Sequence, residues 1–114
     1  MKYRPTAVGY LRTDVSRAAQ LWDQAQIRRV AARLGYDFAD MVVYDPRFER
    51  PALARLRVQV TRLEAEAVIV PGPQHFEGGR VPESLVQQVD VITVSPEKTY
   101  ARWGSPACDQ PPAL

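Results

Sequence analysis

The sequence predicts an α/β fold of three layers, in which a mainly parallel sheet of about four strands is covered by helices on both faces. Two observations lead to this prediction. Short apolar runs rich in β-branched residues alternate along the chain with longer segments of helical periodicity. The short runs are also apolar throughout, as strands buried on both sides of a sheet require. The 114 residues allow one such domain.

The first third of the chain predicts a strand followed by a long helix. The run TAVGYLR, residues 6–12, is short and rich in β-favouring residues. A helix is predicted over about residues 17–34 from an apolar stripe with i, i+3, i+4 and i+7 spacing. The stripe consists of Ile27, Val30, Ala31 and Leu34. We expect Asp14 or Ser16 to cap the start of this helix, and Gly35 to end it in the left-handed conformation.

Three further strands and two helices are predicted downstream. The run MVVYD, residues 41–45, is the second strand, and Pro51 suits the start of the next helix. The buried edge of that helix is formed by Leu53, Leu56, Val60 and Leu63. Residues 67–70 form the third strand, residues 82–88 a short helix and residues 89–94 the fourth strand.

Beyond the fourth strand the periodic pattern fades. The segment PEKTYARWG favours one further turn or short helix, and a Pro-rich tail follows. We therefore expect one domain over residues 1–103 and a disordered tail over residues 104–114.

Net charge, cysteine content and the distribution of apolar residues restrict the partners and the cellular location that we expect for the protein. A net charge of +2 and a pI of about 8.9 are only mildly basic, so charge neither favours nor excludes DNA as a partner. The single cysteine, Cys108, forms no internal disulfide and suits a reducing compartment. The chain has no apolar run long enough for a membrane span and no signal-peptide pattern at its start. We expect a cytoplasmic protein that does not enter a membrane.

Cofactor and metal motifs are also missing from the sequence. It contains neither a G-x-G-x-x-G nor a GK[ST] motif, and its one histidine and one cysteine are far apart. We therefore expect neither a cofactor nor a metal ion.

The candidate site lies where parallel strands end, because ligands of open α/β sheets bind at that edge. Loops 12–16, 45–50 and 71–80 are predicted to meet there. They supply Arg12, Asp14, Ser16, Asp45, Arg47, Glu49, Arg50, Gln74, His75, Glu77 and Arg80. The arginines suit a phosphate, whereas the carboxylates oppose one. A triad of Ser16, His75 and Asp45 can be drawn, but no nucleophile-elbow motif supports it.

Four segments resemble a known family. VGYLR, QIRRVAARLGY, ERPALARL and VIVPGPQHF follow the order of the serine recombinase (resolvase/invertase) catalytic domain. The resemblance spans residues 7–94 and implies a resolvase-like fold. In that family the first strand ends in Tyr-x-Arg-x-Ser, and the serine attacks a DNA phosphate that arginines hold. The family continues into a long dimerising helix and a DNA-binding domain, neither of which we expect here.

The chain departs from the family at its reactive positions. The first pattern has Tyr10 and Arg12, but Asp14 stands at the nucleophile position. After the third strand, the family's Leu-Asp-Arg-Leu-x-Arg box is matched by PGPQHFEGGR, where Gln74 falls near the acid, His75 near the first arginine and Arg80 near the second. A neutral imidazole does not replace a guanidinium.

Two other residues agree with the family pattern. Arg50 lies at a position where the family has an arginine, and Asp45 lies near a position where the family has an acidic residue. The resemblance thus gives the degenerate positions Arg12, Asp14, Asp45, Arg50 and His75. Ser16 is a weak candidate nucleophile, for which a helix cap is the favoured interpretation.

Three hypotheses for function follow. The first is a non-catalytic recombinase-like domain that binds a protein partner or its own copy. Trp22, Tyr100 and Trp103 are candidates for a contact surface. In the alternative interpretation, Trp22 packs in the core, and Tyr100 and Trp103 hold the tail against the body. The second is a strand-transfer enzyme that uses Ser16. The third is a phosphate- or nucleotide-binding domain of flavodoxin-like shape that uses Arg12 and Arg50.

Overall fold

A five-stranded sheet forms the centre of the computed structural model, which describes residues 4–48, 51 and 53–102. The strands are β1 (Thr6–Arg12), β2 (Asp37–Tyr44), β3 (Ala67–Val70), β4 (Asp90–Thr93) and β5 (Lys98–Tyr100). Their order in the sheet is β2-β1-β3-β4-β5. The first four strands are parallel, and β5 runs antiparallel to β4. The predicted α/β class with a mainly parallel sheet is therefore confirmed.

Helices cover both faces of the sheet. They are α1 (Thr13–Ser16), α2 (Gln20–Arg33), α3 (Ala54–Arg62) and α4 (Glu83–Val86). One apolar cluster joins α2 to Ala7 and Leu11 of β1, and a second joins α3 and α4 to Val8 and Tyr10. Alternate residues of β1 point to opposite faces of the sheet, so this one strand contributes side chains to both apolar clusters.

The close approach of α2 to the sheet depends on Gly9. A Cβ atom at this position would lie 2.6 Å from Sδ of Met41 and 2.9 Å from Cγ2 of Ile27. The absent side chain therefore leaves room for buried Ile27 and partly buried Met41.

The first helical region differs from the prediction. A continuous helix over about residues 17–34 was expected, but α1 is followed by a 3-10 turn, Arg17–Ala19, before α2 begins. Arg17 has φ 51° and ψ −123°, which interrupts the helical path. Neither Asp14 nor Ser16 caps α2, whose N-cap is Ala19. The predicted cap is wrong because both side chains are bound elsewhere, as described below.

The helix ends agree better with the sequence. Gly35 has φ +84°, and the N–H groups of Gly35 and Tyr36 donate to the carbonyls of Ala32 and Ala31. This is the predicted left-handed end of α2, in the form of a Schellman motif. The same pattern ends α3, where Glu64 takes φ 54°.

Two strands differ from the prediction. β2 begins at Asp37 instead of residue 41, because the segment DFAD continues the strand at the edge of the sheet with exposed residues at alternate positions. The turn or short helix expected after residue 95 is wrong in part, since Lys98–Tyr100 forms β5. Thr99 and Tyr100 favour extended backbone and pair with the free edge of β4.

The domain boundary at residue 103 and the tail at 104–114 lie outside the described residues. Within the described part of the chain, no helix combines the length and apolar character needed to cross a membrane.

Candidate functional site

The carboxyl ends of β1, β2 and β3 meet at one edge of the sheet, as the sequence predicted. At this edge a cleft of about 520 Å³ opens on the face covered by α3 and α4. It is lined by Tyr10, Arg12, Leu53, Phe76, Glu77, Arg80, Val81, Pro82 and Glu83. The rings of Tyr10 and Phe76 stack with their centroids 5.6 Å apart. The cleft thus combines an apolar wall with charged groups of both signs.

Arg12, the last residue of β1, is bound by Asp14. Nε of Arg12 donates to Oδ1 of Asp14 and Nη2 donates to Oδ2, each at 3.0 Å. The same guanidinium lies over the ring of Tyr44, 5.4 Å from its centroid. Hydrogen bonding between the two side chains raises the pKa of Arg12 and lowers the pKa of Asp14. The carboxylate therefore occupies the Nε/Nη2 edge of the guanidinium, one of the edges through which an arginine holds a phosphate.

Ser16 is buried and bound to a residue that the sequence interpretation missed. Its hydroxyl donates to Oδ2 of Asp23 at 2.6 Å, and its exposed fraction is 7%. The two residues are seven apart, too far to contact each other along a continuous helix, so their spacing did not indicate the pair. The 3-10 turn between them interrupts the helical path and brings the two side chains together. The bond ties the end of α1 to the first turn of α2.

His75 joins two strand ends. Its Nδ1 atom accepts a hydrogen bond of 2.9 Å from the backbone N–H of Arg12, and the side chain is 1% exposed. Burial lowers the pKa of His75, against the opposing influence of Asp23 and Asp14. The imidazole is therefore neutral at pH 7, with Nδ1 as the acceptor. It satisfies a backbone group at the end of β1 and places no positive charge at the site.

Asp45 belongs to a separate local pair. Nε and Nη2 of Arg47 donate to its two carboxylate oxygens at 3.1 and 2.8 Å. Hydrogen bonds from Arg47 and from the side chain of Thr13 lower the pKa of Asp45. Ser16, His75 and Asp45 thus each bond to a different partner, and the triad drawn from the sequence is not assembled.

The loop after β3 contributes one guanidinium to the cleft. Arg80 and Glu77 line the cleft, whereas Gln74 is not one of its lining residues. All three side chains are exposed. Between Glu77 and Arg80, Gly78 and Gly79 take φ values of +73° and +69°. Glycine adopts such positive φ values without steric cost, which explains the double glycine in this loop. Glu49 and Arg50 lie outside the described residues. Across residues 4–48, 51 and 53–102, no cluster of three or more histidine, cysteine, aspartate or glutamate side chains could hold a metal ion.

Comparison with known proteins gave no relative: no protein-family model, no curated protein and no solved structure matches the chain. The chemistry of the site is therefore inferred from its own residues. At the sheet edge, Arg12 is neutralised by Asp14, and Asp45 is neutralised by Arg47. This edge resembles an anion site in composition, but the protein's own carboxylate fills it.

Proposed function

We propose that this chain is a non-catalytic domain of the serine recombinase (resolvase-like) type, which acts in the cytoplasm by binding a partner protein. The observation that carries the proposal is the two-point pair between Arg12 and Asp14. In the recombinase pattern this arginine would hold a DNA phosphate and the residue at position 14 would attack it. Here the carboxylate of Asp14 neutralises the guanidinium of Arg12.

Asp14 is poorly suited to either role. Its negative charge repels a phosphate, and both of its carboxylate oxygens accept hydrogen bonds from Arg12. A carboxylate held in this way is also not free to act as a nucleophile in place of a hydroxyl. The pair thus engages the residue at the nucleophile position together with one edge of the arginine that would hold the phosphate.

The remaining reactive candidates support the same proposal. Ser16 is buried and donates to Asp23, so its oxygen is not presented to a macromolecular substrate. His75 is buried and neutral, and it stands where the resemblance calls for an arginine. Among the described residues, Ser16 and His75 therefore offer phosphoryl transfer neither an exposed hydroxyl nor a positive charge.

Exposed apolar side chains support a role in binding. Leu21 is 80% exposed, Trp22 65% and Phe48 78%. The interpretation of Trp22 as a core residue is therefore wrong. Tyr100, in contrast, packs against the apolar cluster on the α3 face, and Trp103 lies outside the described residues. Large exposed aromatic and aliphatic side chains are typical of protein interfaces.

The proposal is tested by asking whether the protein becomes covalently attached to DNA. Purified protein is incubated with supercoiled and with linear duplex DNA, denatured and resolved on a gel, beside a Ser16→Ala variant. We expect no protein–DNA adduct in either sample. An adduct that forms with the native chain and disappears in Ser16→Ala would overturn the proposal and support the strand-transfer alternative, with Asp23 as the proton acceptor.

A second candidate function is favoured by the cleft. Arg12 and Arg80 line it beside the stacked rings of Tyr10 and Phe76, a combination that suits a nucleotide with its phosphate. This alternative predicts that a nucleotide or inorganic phosphate raises the melting temperature of the protein, and that Arg12→Ala abolishes the effect. Glu77 and Glu83 line the same cleft and oppose an anion, and Asp14 already binds one edge of Arg12. This function therefore ranks second.

A further inference from the structure

We infer that the outer face of α2 is a docking surface for an acidic amphipathic helix of a partner protein. This inference rests on the proposed function, since it names the surface and the partner chemistry of the interaction. The α2 outer face is defined as Ala18 of the preceding 3-10 turn together with Leu21, Trp22, Ala25, Arg28 and Arg29 of α2, all of which are exposed.

The apolar half of this face has the spacing of a helix-binding stripe. Ala18, Leu21, Trp22 and Ala25 follow the i, i+3, i+4 and i+7 pattern across the 3-10 turn and the start of α2. Leu21 and Trp22 offer large anchors, while the two alanines let a partner backbone approach closely. This is the geometry by which one amphipathic helix contacts another.

The stripe is not used by the protein's own core. α2 packs on the sheet through Ile27, Val30 and Ala31, which are buried on the opposite side of the helix. Trp22 precedes Ile27 by five residues, which places it about 140° around the helix axis. The exposed side chains therefore result from a second apolar stripe on the same helix.

The charge on the face selects an acidic partner. Arg28 and Arg29 continue the outer face, and Arg28 lies over the ring of Phe38. Among the described residues Arg29 has no carboxylate partner. The one acidic residue of α2, Asp23, accepts the hydroxyl of Ser16. Positive charge beside an apolar anchor complements glutamate or aspartate beside leucine.

Other occupants fit this face less well. A second copy would bring the same arginines and no outward carboxylate of α2, so the association would lack charge complementarity. Duplex DNA would use the arginines but would leave Leu21 and Trp22 against phosphates or water. An acidic amphipathic helix matches both halves of the face.

The experiment uses a synthetic helical peptide with leucine at i, i+3, i+4 and i+7 and glutamate at the other positions. The full chain carries Trp103→Phe, which leaves Trp22 as its only tryptophan. We expect saturable binding by calorimetry and a blue shift of Trp22 emission. A peptide with lysine in place of glutamate is expected not to bind.

Matched variants test the surface itself. Leu21→Ser and Arg29→Glu are each expected to weaken peptide binding by about tenfold or more, because hot-spot anchors and paired charges dominate such interfaces. Val58 and Arg62 provide the control, since they form an exposed apolar and basic pair at i and i+4 of α3. Val58→Ser and Arg62→Glu are expected to leave the binding unchanged. All four side chains are exposed, so the fold should tolerate each change.

Three results would overturn the inference: no saturable binding, equal binding of the lysine peptide, or equal sensitivity to the α3 control variants. A dimer in sedimentation that is disrupted by Leu21→Ser and does not bind the peptide would assign the face to a second copy. These results are independent of the DNA adduct test. A failed peptide titration without an adduct overturns this inference alone, whereas a Ser16-dependent adduct overturns the proposed function.

Discussion

Arg12 and Asp14 form a two-point ion pair at the carboxyl end of β1, with Nε to Oδ1 and Nη2 to Oδ2 both at 3.0 Å. The Asp14 side chain is 46% exposed, so the pair adds little to stability, roughly 0–1 kcal/mol. Its consequence concerns binding: the Asp14 carboxylate occupies the Nε/Nη2 edge of Arg12, where an external anion would otherwise bind.

The Ser16–Asp23 hydrogen bond is expected to be structural. Ser16→Ala leaves a carboxylate without its hydroxyl donor in a partly buried place, so the free energy of unfolding should fall by about 1–3 kcal/mol. A double-mutant cycle with Asp23→Ala, measured by urea denaturation, should give a coupling energy of about 1 kcal/mol. Additive losses would show that the two side chains do not interact.

His75 is expected to make stability depend on pH. Because burial lowers the pKa of His75, the unfolded chain binds a proton at a pH where the folded protein does not. Stability should therefore fall as pH decreases through about 6.5, with a slope of up to about 1.4 kcal/mol per pH unit. Asp14 and Asp45 have lowered pKa values, so the stability they add is lost only below about pH 4.

A matched variant isolates this pH dependence. His75→Asn keeps an acceptor near the Arg12 N–H and does not titrate. Its free energy of unfolding, measured by urea denaturation between pH 7.5 and 5.5, is expected to be flat. An equal pH dependence in both proteins would contradict the assignment to His75, the only histidine of the chain.

The two stripes of α2 are expected to differ sharply in their effect on folding. Trp22→Ser should change the free energy of unfolding by less than about 0.5 kcal/mol, because the side chain is 65% exposed. Ile27→Ala should lower it by about 2–5 kcal/mol, since Ile27 is fully buried. Thermal or urea denaturation measures both. A large loss for Trp22→Ser would mean that this side chain packs inside the protein.

Two non-glycine residues with positive φ are expected to be improved by glycine. Glu64→Gly should raise the free energy of unfolding by about 0.5–1 kcal/mol, and Arg17→Gly by about 1 kcal/mol. Ala25→Gly serves as the control, because glycine in an exposed helix interior costs about 1 kcal/mol. If all three variants lost stability alike in urea denaturation, the positive φ at residues 17 and 64 would be contradicted.

The layers of the fold could be predicted from the sequence because they depend on local patterns. The continuous apolar runs of β1 and β3 required a sheet covered on both faces, and the stripe ending at Leu34 required a helix. β5 was missed because a three-residue strand depends on the free edge of β4 more than on its own composition.

The site was predicted in part. The meeting of the strand ends follows from parallel topology, whereas the partners of individual side chains depend on tertiary contacts. The interruption at Arg17 sets the approach of Ser16 to Asp23, and no local preference of an arginine predicts it. The exposure of Trp22 could have been predicted from the sequence, because Trp22 is out of phase with the apolar stripe that begins at Ile27.

The most direct test of the central claim follows the Nε–H signal of Arg12 by NMR during titration with inorganic phosphate. The signal of the native chain is expected not to respond, because Asp14 accepts this hydrogen bond. In Asp14→Ala the same signal should shift in a saturable manner as phosphate takes the vacated position. A saturable shift in the native chain would show that Arg12 is open to anions, and would contradict the account.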